Sequence, residues 1–406
     1  MMRGWIPPLP LACGLASFGL SWIVLFAIAR SGALGPSPLV LGWIHLVALG
    51  WISTVALAVL LHAVPGFLDV EWDGAGPAIA RACTPVFAIA SLALAAGFIC
   101  GTVWLLEAAG TVLFASVLVY IAAIARPLIS AMRGERVARA VARAFAGTFV
   151  LLTLTATLGV AFAFALGGRL PAGLLAGTPG AHALLGIGGW LTLLVTGVSA
   201  RTMGPIAGTR SRFPLLHIGC SCALLVGTLA AALGAALRHP AIELAGAGLL
   251  VLGAVLYAAD IFDVLARATV PHRPPQTLMG CAAVWSVVAA ALLLASSVGA
   301  PLAAAAVYVA LMGWIGSAVL AHIHHIGVRV LITTARGEED ETRPGSVLDG
   351  RLTWTATGLF QLAVLAGGIA VAWGSAGVLE LAALAGFVAF AVLVANLRHA
   401  WTIVSA

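Results

Sequence analysis

The chain has 406 residues, 62% hydrophobic and 8% charged, with a mean hydropathy of +1.12, which excludes an ordinary soluble globular domain. All 20 positive charges are arginines and the formal net charge is +6. In so apolar a chain this basic balance reports membrane topology, and it speaks against a nucleic-acid partner.

In chain order, twelve apolar runs are long enough to cross a hydrocarbon core of ~30 Å at ~1.5 Å per residue. They cover residues 10–30, 38–64, 82–104, 108–125, 144–167, 180–204, 214–237, 241–264, 277–298, 301–333, 353–374 and 377–401. The expected fold is all-α, a polytopic membrane protein embedded in lipid with no separate soluble domain. The first run follows a short segment containing Arg3, without a small-residue cleavage site, and reads as a retained helix and not a signal peptide. With a cytoplasmic N-terminus, only Arg30, Arg169 and Arg238 fall outside, while 17 arginines fall inside, among them those of the loop "ARPLISAMRGERVARAVARAF". The expectation is a multi-pass protein of a bacterial-type inner (cytoplasmic) membrane with both termini cytoplasmic. Six cysteines, all in or beside helices, argue against a disulfide framework. The acidic stretch "ARGEEDETRPGSVLDGR" is too polar to fold alone and reads as a solvated loop.

A repeat runs through the helices at four-helix intervals. Helix two contains "LGWISTVALAVLLHAVPGF", helix six "GGWLTLLVTGVSARTMGPI" and helix ten "MGWIGSAVLAHIHHIGVRV". Eleven residues after Trp51, Trp190 and Trp314 come His62, Arg201 and His325, and Pro65 and Pro205 follow in the first two. Three units of about residues 1–130, 131–268 and 269–406 predict a pseudo-threefold bundle within a single transmembrane domain. Helices two, six and ten would line its interior, because ionisable side chains avoid lipid.

Twelve helices in three arcs, histidines on helices two and six, and the run "HLVALGW" resemble subunit I of the heme-copper oxidases, especially its short, cbb-type relatives. The segment "HALLGIGGWLTLLVTGVSARTMGPIAGTRSR", with "HAVPGF", also resembles the NnrS family of heme-containing membrane proteins associated with nitric oxide stress. The resemblance implies a heme-copper-oxidase-like bundle and heme b as cofactor. It places His45 where the low-spin heme takes a histidine, and His182 where helix six supplies a copper ligand. The adjacent histidine pair expected in helix seven is missing, and Ala306 and Tyr308 stand where helix ten should carry His-x-His. A complete terminal oxidase is therefore not expected. The low-spin heme would have His45 on one side and Tyr308, His182 or nothing on the other. Each of the two histidines alternatively caps a backbone carbonyl near the membrane surface.

At the inner end, His62, His217, His322 and His325 form a second candidate, for a transition metal such as copper or for another heme, with Arg201 and Arg329 as contacts for propionates or other anions. His322, His325 and Arg329 share a helix stripe and His324 points roughly 100° away. The competing reading is helix-end capping and headgroup contact. "HIGCSC" offers His217 and Cys220 as soft ligands or as packing residues, and Asp260, Asp263 and Arg267 read mainly as an interfacial salt-bridge cluster. Taken together, the expectation is a heme-binding membrane protein acting in nitric oxide or oxygen response, or in electron transfer with a respiratory electron donor. The alternatives are a metal-ion or small-solute permease and a cofactor-free scaffold.

Overall fold

The computed structural model describes residues 8–32, 34–337 and 339–405. Arg3 and Glu338 lie outside the described residues. Among these there are no strands and twelve helices long and apolar enough to cross a membrane. They are α1 Leu9–Ser31, α2 Pro38–Leu68, α3 Gly76–Ile99, α4 Val103–Met132, α5 Val141–Leu166, α6 Thr178–Ala207, α7 Leu215–Leu237, α8 Pro240–Leu265, α9 Arg273–Ser297, α10 Ala303–Arg336, α11 Gly350–Trp373 and α12 Ala376–Ser405. The protein is an all-α, multi-pass membrane protein.

Local chemistry explains several boundaries. Ser37 accepts the amide of Val40 at the start of α2, with Pro38 in the first turn, and Asp349 accepts the amide of Leu352 to start α11. Gly208 ends α6 at φ 75°, beside Thr269 and Val270, where a side chain has neither the backbone conformation nor the room. One boundary departs from expectation. The third helix begins at Gly76 and ends at Ile99, about five residues upstream of the hydropathic window, and Cys100-Gly101-Thr102 turns the chain with Gly101 at φ 65°. This turn is nearly as apolar as the helices it joins, so hydropathy does not register it.

Each helix packs on its successor, and α12 returns to α1, so the helices close a bundle in which α6 bridges α5 and α7. Helices α2, α6 and α10 fill its centre. Their windows are 61%, 61% and 78% buried, against 22–50% for the other nine. In lipid such packing rests on close contact between small residues rather than on expulsion of water. The pair α7/α8 shows this best: a methyl on Gly234 would strike the backbone of Glu243, and one on Gly246 the backbone of Ala231.

The central helices share a departure from α geometry. Each widens into a π turn over the Gly-Trp pair: Leu46–Ser53 in α2, Leu184–Leu191 in α6 and Val309–Ile315 in α10. These three segments touch one another pairwise. A wide turn leaves carbonyls that hydroxyls can reach five residues back: Ser53 Oγ donates to the Ala48 carbonyl (2.7 Å), Thr54 Oγ1 to Leu49 (2.8 Å) and Thr192 Oγ1 to Ile187 (2.7 Å). The tryptophans then lock the helices together. Trp190 Nε1 donates to Ser53 Oγ at 2.9 Å, two residues after Trp51, and the Trp51 ring lies over Gly316, two residues after Trp314. The repeated Gly-Trp pair thus marks the helix-to-helix contact at the heart of the bundle.

Candidate functional site

Before the π turn, the starting segments of α2 and α6 carry His45 and His182. Their imidazole ring centres lie 6.3 Å apart with ring planes inclined by 25°. His45 Nδ1–H donates to the Leu41 carbonyl at 2.8 Å, one turn back on its own helix. His182 Nδ1–H donates to the Thr155 carbonyl on α5 at 3.1 Å. A carbonyl can only accept, so both Nδ1 atoms carry the proton and both Nε2 atoms, in the neutral ring, present a lone pair. Fixing the far nitrogen on a backbone carbonyl is the usual way a ligating imidazole is oriented.

The walls are aromatic and small. Phe98 on α3 stacks on His45 with centroids 4.8 Å apart, and Phe162 on α5 meets His182 edge-on at 5.6 Å. A methyl on Gly159 would stand 3.2 Å from His182 Cε1, so the glycine gives the ring its place against α5. Although α6 is a central helix, Gly186, Ile187 and Gly188 on it are only half-buried, as are both histidines. Two neutral imidazoles from different helices, each held in one tautomer, can ligate one first-row metal between them.

Tyr308 does not belong to this pair. It is fully buried, its hydroxyl donates to the Ala363 carbonyl on α11 at 3.0 Å, and its ring stacks on Trp43 at 5.7 Å. Its phenol turns toward α11 because Gly367 leaves room there for the oxygen. Of the candidates for the position opposite His45, the structure brings His182 near it and directs Tyr308 elsewhere.

The second set of candidates does not converge on one point. Among the described residues no group of three or more His, Cys, Asp or Glu side chains could hold a metal ion, so His62, His217, His322 and His325 do not share one centre. His322 is engaged at both nitrogens: Nδ1–H donates to the Ala318 carbonyl (2.6 Å) and Nε2 meets Thr202 Oγ1 (2.8 Å). The ring therefore couples α10 to α6. Arg201 Nη2 donates to the Phe67 carbonyl at 2.7 Å and so caps the end of α2. Arg329 Nη1 donates to the Thr342 carbonyl at 3.2 Å, tying α10 to the following loop. These two arginines and His322 are thus engaged in helix-end and interhelix contacts, while Arg201 Nε is buried with no hydrogen-bond partner among the described residues.

The salt-bridge cluster expected of Asp260, Asp263 and Arg267 divides. Asp263 is gripped by Arg212, at 2.9 and 2.6 Å, and by Arg267 at 2.6 Å. Asp260 is buried and takes no part in that cluster by a described salt bridge, and its Oδ1 has no hydrogen-bond partner among the described residues. Phe98, Phe162, Gly159 and Thr155 escaped the sequence reading, because each joins the site across a loop and no spacing links it to a histidine. The chain matches no known protein family model and no curated protein.

Proposed function

We propose that the protein is a heme-binding integral membrane protein in which His45 and His182 would hold the heme iron. The observation that carries this reading is the close approach of two neutral imidazoles from different helices, with ring centres 6.3 Å apart. With a metal–nitrogen bond of about 2.0 Å on each side and about 1 Å from each nitrogen to its ring centre, two imidazoles sharing one metal have centres about 6 Å apart, which agrees with the 6.3 Å found. A heme b held by two imidazoles supplies reversible one-electron transfer. With both histidines engaged in holding it, such a heme would favour electron transfer from a respiratory donor over binding of nitric oxide or oxygen.

The chain's own contribution is orientation and exclusion of water. Leu41 and Thr155 hold the rings in the tautomer that offers Nε2, Phe98 and Phe162 limit their tilt, and Gly159 keeps His182 against α5. The second histidine pair that a copper centre of an oxygen reductase would need is lacking in α7, which contributes only His217. The reading is accordingly a relative of oxidase subunit I without a complete oxygen-reducing site.

The test is the optical spectrum of protein purified from a heme-replete host. The wild type should show an intense Soret band with about one heme per chain, and a six-coordinate low-spin signature. His45→Ala and His182→Ala should each lose the heme or convert it to a five-coordinate form. A wild type without a Soret band, or two variants with unaltered spectra, would overturn the proposal and leave the permease and scaffold readings.

A further inference from the structure

A lateral groove opens between α8, α9 and α11, remote from the histidine pair. It encloses about 810 Å³, a volume in the range of small-molecule sites, yet it opens sideways, toward where lipid would lie. Its walls are apolar, with Phe262 and Leu265 from α8, Val284 from α9, and Leu362 and Leu365 from α11. Gly280 shapes the floor: a methyl there would stand 3.4 Å from Leu265 and 3.7 Å from Phe262.

The polar groups sit at its two ends. Arg273, exposed at the first residue of α9, gives one N–H to Gln276 Oε1 at 2.9 Å. Gln276 is itself anchored by donating to the Ile206 and Val270 carbonyls, at 3.2 and 2.8 Å. The guanidinium is therefore braced at the mouth and still has N–H groups to offer an anion, since a guanidinium carries five. At the far end Trp285 Nε1 donates to Gln361 Oε1 at 2.8 Å, and Gln361 Nε2 donates to Ser317 Oγ on α10 at 2.8 Å. These bonds close the groove.

Length identifies the occupant. From Arg273 to Trp285 is twelve residues of helix, about 18 Å at 1.5 Å per residue. From Gly350, where α11 starts on the same side, to Gln361 is eleven residues, about 16 Å. Half of a ~30 Å hydrocarbon core is about 15 Å, so the groove is as deep as one leaflet.

We propose that this groove is a binding site for one phospholipid with an anionic headgroup, its phosphate on Arg273 and an acyl chain lying along Gly280 and Val284 to the Trp285–Gln361 stop. A cationic mouth, apolar walls and one-leaflet depth match such a lipid in charge, polarity and length. Binding should be selective for net negative headgroups, because the zwitterionic headgroup brings its own ammonium to the arginine.

Native mass spectrometry of the full-length protein, released from mild detergent with added phosphatidylglycerol or phosphatidylcholine, tests this. The wild type should retain one phosphatidylglycerol at occupancy about tenfold above phosphatidylcholine. Arg273→Gln, an exposed change, should remove that preference while leaving phosphatidylcholine retention unchanged; Arg398→Gln, on α12, is the matched charge control and should behave as wild type. Gly280→Leu fills the floor and should lower retention of both lipids. Equal retention of the two lipids by the wild type, or an undiminished preference in Arg273→Gln, would overturn the proposal. Should Gly280→Leu be recovered poorly, Thr277→Trp, at an exposed position of the lining, serves as the second obstruction and must show the same loss.

Discussion

The bond between Trp190 and Ser53 is the one side-chain hydrogen bond described between the central wide turns, and its removal has a calculable cost. Ser53 Oγ accepts the indole N–H at 2.9 Å and donates to the Ala48 carbonyl at 2.7 Å, with both residues buried. In Ser53→Ala the indole N–H loses its partner and the Ala48 carbonyl loses the hydroxyl. At about 0.6 to 1.7 kcal/mol per interhelical bond in a membrane interior, and about 1–3 kcal/mol for a stranded buried group, a loss of about 2 kcal/mol is expected. Trp190→Phe should lose about 3 kcal/mol, mostly through the volume removed. The double variant should lose less than the sum of the two, by a coupling of about 1 kcal/mol. Trp43→Phe is the control: Trp43 Nε1 has no hydrogen-bond partner among the described residues and Trp43 lies ten residues, about 15 Å, up the same helix, so it should add to Ser53→Ala within about 0.5 kcal/mol. Unfolding by sodium dodecyl sulfate in mixed micelles, followed by tryptophan fluorescence, measures each corner of the cycle. A coupling below about 0.3 kcal/mol, or an equal coupling with Trp43→Phe, would refute the assignment of this contact as a specific lock.

Two further outcomes follow from described contacts. Asn396 on α12 is buried, donates to the Asp349 carbonyl (3.1 Å) and Thr353 Oγ1 (2.8 Å) and accepts the Asp349 amide (2.9 Å), so Asn396→Leu should lower stability by about 2–3 kcal/mol in the same titration; a loss under about 0.5 kcal/mol would contradict this. His272, in the loop before α9, is held below the ordinary histidine value of 6.5 by burial. The unfolded chain therefore binds the proton first, and stability should fall as pH drops below about 6.5 until the folded ring also protonates. Thermal melts between pH 7.5 and 5 should show a shallower decline in His272→Gln, and identical slopes would exclude this group as a contributor.

How much of this was legible beforehand depended on what hydropathy can register. The twelve spans and the inward placement of α2, α6 and α10 were readable because polar residues and Gly-Trp pairs recur at one register, and lipid forbids them the outer surface. The α3 boundary was not, since Cys100 and Gly101 look no more polar than a helix interior. His45 and His182 were picked out by resemblance, but their pairing depends on α5 supplying the Thr155 carbonyl and Gly159, which no linear spacing records. Tyr308 had been a candidate for the same place because register fixes only the height of a side chain. Its direction was decided by Gly367, one helix away, which no pattern within α10 encodes.

The wide turns at the Gly-Trp pairs also divide the central helices into rods that can be aimed separately, and α10 carries a second wide turn at Ile323–Gly327. A π turn carries one residue more than the α turn it replaces, and one residue is worth about 100° of rotation. On α2 the rod bearing His45 is thereby turned relative to the rod bearing His62, so the half with His45 can be phased for a neighbour on α6 without disturbing the seating of the half with His62. Deleting one residue between Leu46 and Ser53 would let the helix run straight and swing His45 by about 100°, away from His182, with every apolar residue of the span retained. Composition would record such a chain as unchanged, while the approach of the two imidazoles would be gone.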